Sequence, residues 1–154
     1  MEPGNSIRRA TVEDAQAIAH LSTSLGYASD VLVMAQRLSV ISASDADLII
    51  VATDAIGATV GWLQAHAATI IESGFRVEIT GLIIAPEERR RGMGRALVAE
   101  AEQWARSIGA EAVVVRSNVQ RPESHVFYPA LGFSVTKTQK VYRKPINAAA
   151  QGSE

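Results

Sequence analysis

Cysteine is absent from this chain of 154 residues. This absence excludes disulfides, thiolate zinc sites and a cysteine nucleophile, and it agrees with a reducing compartment. No metal site is predicted, and a cytoplasmic location is expected. Apolar runs are also short: none approaches the roughly 20 residues that span a membrane, and the N-terminus lacks the apolar core of a signal peptide.

An excess of charge of either sign is missing too. The formal net charge is −1, which argues against a general nucleic-acid binder or a protein of anionic membranes. Any affinity for phosphate must therefore be local. Internal repeats and linkers are lacking, and a chain of this length can bury about 70% of its unfolded surface as one domain. We expect one domain over residues 1–146 and an unordered tail over 147–154, which has little apolar area.

Apolar periodicity predicts an α/β protein with one mixed sheet and helices on both faces. A turn-forming stretch at 54–57 predicts an antiparallel hairpin. The predicted strands are 6–10, 48–52, 59–71, 75–85, 112–115, 133–136 and 139–144. The first predicted helix begins at Thr11 and ends near Gly26. The other predicted helices cover 30–42, 92–107 and 122–131.

The most informative segment is 79–97, where an apolar strand is followed by Pro86, three arginines and Gly92-Met93-Gly94 at the start of a helix. A helix N-terminus offers unpaired N–H groups and a positive dipole end, which together bind anions. Glycine at 92 and 94 permits positive φ and leaves no side chain between backbone and ligand. The segment therefore predicts a phosphate-binding turn.

The sequence disfavours two other interpretations of this turn. A solvated charge run is disfavoured, because arginines at a helix N-terminus oppose the dipole unless an anion is bound. A dinucleotide-binding GxGxxG fingerprint is disfavoured because position 97 is leucine and the unit follows a hairpin region.

Two ordered motifs carry a family resemblance. Residues 84–97 resemble motif A of the GNAT acetyltransferase superfamily, with Arg89, Gly92 and Gly94 at the defining positions of its pyrophosphate-binding turn. Residues 116–133 resemble the later motif, in which an asparagine, a helix and Tyr-x-x-Leu-Gly-Phe follow one another. The resemblance covers essentially the whole chain. It implies the GNAT fold, with a mixed, mostly antiparallel sheet splayed at its middle strands.

This resemblance implies an acetyl-CoA-dependent N-acetyltransferase that transfers the acetyl group to a primary amine of a small molecule or peptide. Direct attack in a ternary complex is expected, and the lack of cysteine agrees with it. The main-chain amide that binds the thioester oxygen maps to Ile84, and Pro86 is expected to splay the sheet. The implied acetyl-CoA contacts are Leu82, Ile83, Ile84, Arg89, Arg90, Arg91, Gly92, Met93, Gly94, Arg95, Asn118 and Tyr128.

Two residues are candidates for proton transfer. The resemblance makes Tyr128 the acid that protonates the CoA thiolate; a core aromatic beside Phe127 is the alternative. Glu78 is the leading base for the acceptor amine, because strand alternation would place it on one face with Leu82 and Ile84. Pairing of Glu78 with Arg76 or solvent is the alternative. Weaker candidates for the base are Glu72 and His66.

Several further points stay open in the sequence. Asn118 either contacts the cofactor or forms a turn, and Arg116 and Arg121 either bind anionic groups or are surface charges. By analogy with the family, 139–144 is expected to contribute to a homodimer. A CoA-binding sensor without activity and an NAD(P)-binding domain are the alternative functions. The acceptor amine has no diagnostic motif.

Overall fold

The computed structural model describes residues 3–24, 30–117 and 120–147. Its backbone forms two compact units that divide after Arg116. The described part of the first unit contains β1 (Ser6–Arg9), α1 (Ala15–Ser24), α2 (Val31–Ser42), β2 (Asp47–Thr53), β3 (Thr59–Ile70), β4 (Gly74–Ile84), α3 (Met93–Ser107) and β5 (Ala112–Val115). The second unit contains α4 (Pro122–Ala130). The expectation of one domain over 1–146 stays a prediction.

The five strands form one sheet in the order β1-β2-β3-β4-β5. Neighbouring strands are antiparallel except β4 and β5, which are parallel. The β2–β3 hairpin closes as predicted, because the Asp54 carboxylate accepts the N–H groups of Ile56 (3.1 Å) and Ala58 (2.9 Å). The predicted α/β class and the mixed, mostly antiparallel sheet are confirmed.

Helices cover both faces of the sheet, as predicted. Cross-strand pairing places Ile49, Val51 and Trp62 on one face, where they pack against Ile18 of α1 and Leu38 of α2. We call this the α1/α2 face. The opposite face is covered by α3, which contacts β2, β3 and β4.

Local hydrogen bonds explain why the first two helices begin where they do. Asp30 precedes α2 and accepts the N–H groups of Leu32 (2.8 Å) and Val33 (3.2 Å), which is the usual N-cap arrangement. Asp14 precedes α1, is buried, and accepts two hydrogen bonds of 2.8 Å from Arg8. These bonds from Arg8 lower the pKa of Asp14 below its usual value. A carboxylate that accepts hydrogen bonds from nearby residues therefore precedes each of the helices α1 and α2.

Three predictions about the fold need correction or stay open. Residues 133–136 and 139–144 are not strands in the described structure, because β propensity gives a strand only where a neighbouring strand supplies ladder hydrogen bonds. In the described sheet β4 and β5 are the last two strands, and they pair only over residues 76–79 of β4, beyond which they separate. The predicted end of the first helix at Gly26 and most of the 147–154 tail lie outside the described residues.

Candidate active site

Only the first half of the strand β4 contains residues that are paired on both sides. β3 accompanies β4 as far as Ile84, whereas β5 pairs with residues 76–79 alone. Along 80–84 no strand in the described part of the chain lies on the β5 side. The N–H of Ala85 donates to the carbonyl of Val60 on β3 (2.8 Å). Because successive residues of a strand face opposite ways, the N–H and C=O groups of Leu82 and Ile84 point toward the open edge.

The cause of this opening differs from the prediction. Pro86 was expected to splay the sheet, but it lies beyond β4 in a single turn of 3₁₀ helix, Pro86–Glu88. The edge opens earlier because β5 ends at Val115, whose partner is Ile79. What exposes the backbone is therefore a short neighbouring strand.

A β-bulge divides the two halves of β4. Gln64 of β3 pairs with Gly81 and Ala65 pairs with Ile79, so Thr80 is an extra residue. An extra residue reverses the alternation of side chains. Glu78 therefore lies on the α1/α2 face, and the predicted common face of Glu78 with Leu82 and Ile84 is wrong. A glycine inside a strand often marks a bulge, so Gly81 was the signal that could have revealed it.

Gly81 also makes room for an aromatic ring. A Cβ atom on Gly81 would lie 2.6 Å from the indole of Trp62, so the ring sits directly against the glycine backbone. Trp62 packs against the core under α1 and α2. Its buried Nε1 has no hydrogen-bond partner among the described residues. The ring thus covers β4 at the bulge, between the paired and the open half.

The Arg-Gly turn follows the open half of β4. Arg90 and Gly92 both adopt left-handed backbone conformations, with φ of +65° and +80°. Gly92 is the N-cap of α3 and has no side chain to cap it. In the first hydrogen bond of the helix, the N–H of Ala96 donates to the carbonyl of Gly92 (3.0 Å). The N–H groups of residues 93–95 therefore have no acceptor within the helix. These amides are available to an anion.

Arginine side chains surround this helix N-terminus. Arg91 lies 3.6 Å from Glu88. The side chains of Arg89, Arg90 and Arg95 are exposed and make no ion pair or hydrogen bond with any residue in the described ranges. Met93 differs from them, because its side chain is buried and anchors the turn. The structure therefore gathers the predicted arginines and glycines around one open helix end.

Glu78 is held by two guanidinium groups. Nη1 of Arg116 lies 2.6 Å from both carboxylate oxygens, and Nη2 of Arg76 lies 3.4 Å from Oε1. Pairing with Arg76 was the alternative considered for Glu78, whereas Arg116 as its main partner was missed. Arg116 follows β5, and only the parallel pairing of Glu78 with Val114 brings it within reach. In this structure the carboxylate is engaged in ion pairs.

A model of the GNAT acetyltransferase family matches residues 16–133. The chain belongs to the GNAT family. Aminoglycoside N(6′)-acetyltransferase type 1 from Stenotrophomonas maltophilia is 28% identical over 149 residues, which cover 94% of this chain and 96% of that protein. Family and relative together make the protein an acyltransferase.

Solved structures share the fold of this GNAT protein. Aminoglycoside 6′-N-acetyltransferase AAC(6′)-Ih from Acinetobacter baumannii has a TM-score of 0.80 at 20% identity, covering 94% of this chain and all (100%) of that one. AAC(6′)-Iy, in complex with a bisubstrate analogue of CoA and acetylneamine, has a TM-score of 0.78 at 21% identity, covering 91% and 97%. At these identities the likeness concerns the fold.

Tyr128, which the resemblance makes the acid, lies in the second unit. The ring of Tyr128 makes edge contacts with Phe127 (5.0 Å between centroids) and Phe133 (5.7 Å). Burial raises the pKa of Tyr128, and the positive charge of Arg121 opposes that rise. These contacts agree with the aromatic packing considered for Tyr128, and its catalytic role stays a prediction. Asn118 lies outside the described residues.

The weaker candidates for the base differ from each other in their surroundings. Glu72 is exposed in the turn between β3 and β4. His66 lies on β3 with Nδ1 2.8 Å from Oδ1 of Asp47, a partner that the sequence did not reveal.

Among the described residues, no helix has the length and apolar character needed to cross a membrane.

Proposed function

We propose that this GNAT protein transfers the acetyl group of acetyl-CoA to a primary amine of a small molecule or peptide, by direct attack in a ternary complex. One observation carries the proposal: β4 has a free backbone edge that leads into an uncapped helix N-terminus surrounded by exposed arginines. A CoA thioester has a matching order of groups, with an amide-bearing arm followed by a pyrophosphate.

The donor end of the site uses mainly backbone. The N–H groups at the start of α3 and the arginines of the turn bind the pyrophosphate, whose negative charge the helix dipole also favours. The open edge at Leu82 and Ile84 pairs with the amides of the pantetheine arm. Ile83 contributes only its side chain, because its backbone faces β3.

Attack of the amine on the thioester places negative charge on the carbonyl oxygen. A fixed N–H donor aimed at that oxygen typically lowers the barrier by about 2.7–4 kcal/mol. The resemblance assigns this donor to Ile84. Leu82 has the same orientation and lies closer to Glu78 along the strand, so both amides are candidates that substitution can separate.

Tyr128 donates the proton that the departing thiolate takes up. Because burial raises the pKa of Tyr128, the hydroxyl is protonated at neutral pH and is available as an acid. We expect Tyr128→Phe to lower kcat while leaving acetyl-CoA affinity unchanged. Unchanged turnover would assign Tyr128 to aromatic packing alone.

The acceptor is a small amine whose further chemistry is open. Relatives named as aminoglycoside acetyltransferases make that class the first to test. In this chain, however, the Glu78 carboxylate is matched by two guanidinium groups, so it offers little net attraction to a polycation. Amino acids, peptides and polyamines therefore belong in the same panel.

Two measurements on the purified protein test the proposal. Melting temperature should rise with acetyl-CoA and not with NAD(P), because only a bound ligand stabilises the folded state. Free thiol should then be released with at least one class among aminoglycosides, polyamines, amino acids and peptides. Stabilisation by acetyl-CoA without thiol release from any amine would indicate a CoA sensor, and stabilisation by NAD(P) instead would overturn the proposal.

A further inference from the structure

Three polar side chains form a row across the α1/α2 face beside the proposed site. Asp47 of β2 pairs in register with His66 of β3, and His66 pairs with Glu78 of β4. Directly paired residues of antiparallel strands place their side chains on the same face, with Cβ atoms about 4.5–5.5 Å apart. His66 therefore lies between the two carboxylates.

Asp47 and His66 are hydrogen-bonded, with Nδ1 2.8 Å from Oδ1. The Asp47 side chain is only 16% exposed, whereas that of His66 is 48% exposed. A carboxylate that accepts the Nδ1 proton fixes the neutral tautomer and leaves Nε2 as a lone-pair acceptor. Nε2 makes no hydrogen bond within residues 3–24, 30–117 and 120–147. The pair thus presents one unoccupied basic nitrogen.

The Glu78 carboxylate, unlike Nε2 of His66, is already engaged by another side chain. Both of its oxygens lie against Nη1 of Arg116, so an amine that approaches the carboxylate must displace a guanidinium group. His66 needs no such displacement, and its exposure gives a proton a way to solvent.

We propose that His66, oriented by Asp47, is the base that takes the proton from the acceptor amine; this inference rests on the proposed function. An alkyl amine with a pKa near that of lysine, about 10.4, arrives as ammonium. His66 Nε2 removes one proton, and the neutral amine forms the N–C bond with the thioester carbonyl carbon. The C–S bond then breaks and the thiolate takes a proton from Tyr128. The amide nitrogen loses its second proton, which restores the Tyr128 hydroxyl, and the histidinium releases its own proton to solvent. Asp47 is a positioning residue.

The first experiment compares His66→Gln, Asp47→Asn and Glu78→Gln. Each is assayed for thiol release with whichever of kanamycin, spermidine or glycylglycine gives the highest rate with the unaltered protein. For kcat/KM we expect His66→Gln to lose about 10²–10⁴-fold, the range for general acid–base catalysis, and Asp47→Asn to lose less. Acetyl-CoA affinity and melting temperature should stay close to those of the unaltered protein.

The pH profile separates His66 from Glu78. The rate should rise with pH as the base loses its proton, and this acidic limb should disappear in His66→Gln and persist in Glu78→Gln. The other charged groups near His66 on the described sheet are Asp47, Arg76 and Arg116, which we expect to move the limb without abolishing it. Loss of the limb in Glu78→Gln alone would overturn the proposal.

A matched nucleophile provides the control. Methoxyamine is weakly basic and arrives unprotonated at neutral pH, so His66→Gln should slow its acetylation far less than that of the alkyl amine. Equal losses with both amines would overturn the role as base. Nitrogen NMR, read by comparison with His66→Gln, should show the Nδ1–H tautomer, and an Nε2–H tautomer would also contradict the proposal. No thiol release from the unaltered protein with any amine would instead refute the proposed function.

Discussion

The two halves of β4 differ in what they offer a ligand. Residues 76–79 have strands on both sides, so their backbone groups are used in the sheet and only side chains remain for chemistry. Along 80–84 one edge is open, so the backbone itself can bind. The bulge at Thr80 separates the halves. In the proposed function, one strand thus holds the thioester donor through its backbone, and side chains beside it take the acceptor's proton.

The largest effect is expected from Gly92→Val, beyond the open half. Gly92 has φ of +80°, a conformation that costs residues with side chains about 1–2 kcal/mol, and a side chain there would block the anion. We expect loss of acetyl-CoA binding, measured by calorimetry, with the fold retained. Gly109→Val is the matched control, because φ is +79° with open space around it at the other end of α3. Normal acetyl-CoA affinity in Gly92→Val would contradict the assignment of the turn to pyrophosphate binding.

Proline substitutions test the orientation of the open edge. Leu82→Pro removes an N–H that faces the edge and leaves the ladder to β3 intact. If Leu82 supplies the oxyanion donor, kcat should fall about 10²–10³-fold with the circular dichroism spectrum preserved. Ile84→Pro tests the other candidate in the same way. Ile83→Pro is the control, since it removes a ladder bond and should destabilise the protein strongly; equal tolerance of all three would contradict the alternation.

The boundary between the halves is tested by Gly81→Ala. The new Cβ would lie 2.6 Å from the Trp62 ring, and such overpacking typically costs about 1–3 kcal/mol of unfolding free energy. Calorimetry should show a lower melting temperature, by about 2–4 °C per kcal/mol. Combining Gly81→Ala with Trp62→Phe should recover part of the loss. If the two substitutions lower the free energy of unfolding additively, the Trp62 ring is not the reason that position 81 requires glycine.

The smallest effect is expected from Arg116→Ala in the paired half. Arg116 is 53% exposed, and ion pairs at such positions contribute about 0.2–1 kcal/mol. Melting temperature should therefore change little, while KM for a cationic acceptor should fall about twofold to fivefold as Glu78 is freed. Arg106→Ala, which removes an exposed pair with Glu102 on α3, is the control. The same KM change in both variants would argue against a local effect on Glu78.

Much of the fold could be predicted because its signals are local. The capping carboxylates at Asp14 and Asp30, the turn at 54–57 and the glycines around α3 each act over a few residues. The predicted strands at 133–136 and 139–144 were wrong in the described structure because a strand depends on a partner elsewhere in the chain. The same dependence explains the error at Glu78, since one extra residue at Thr80 reversed every face beyond it.

By itself, the sequence determined the order of most elements, the family and the Arg-Gly turn, because periodicity, caps and glycine spacing are properties of neighbouring residues. Only the tertiary structure decided which side chains meet. Arg116 reaches Glu78 across 38 positions and Asp47 reaches His66 across 19. Strand register sets those contacts, and register depends on the packing of the whole sheet.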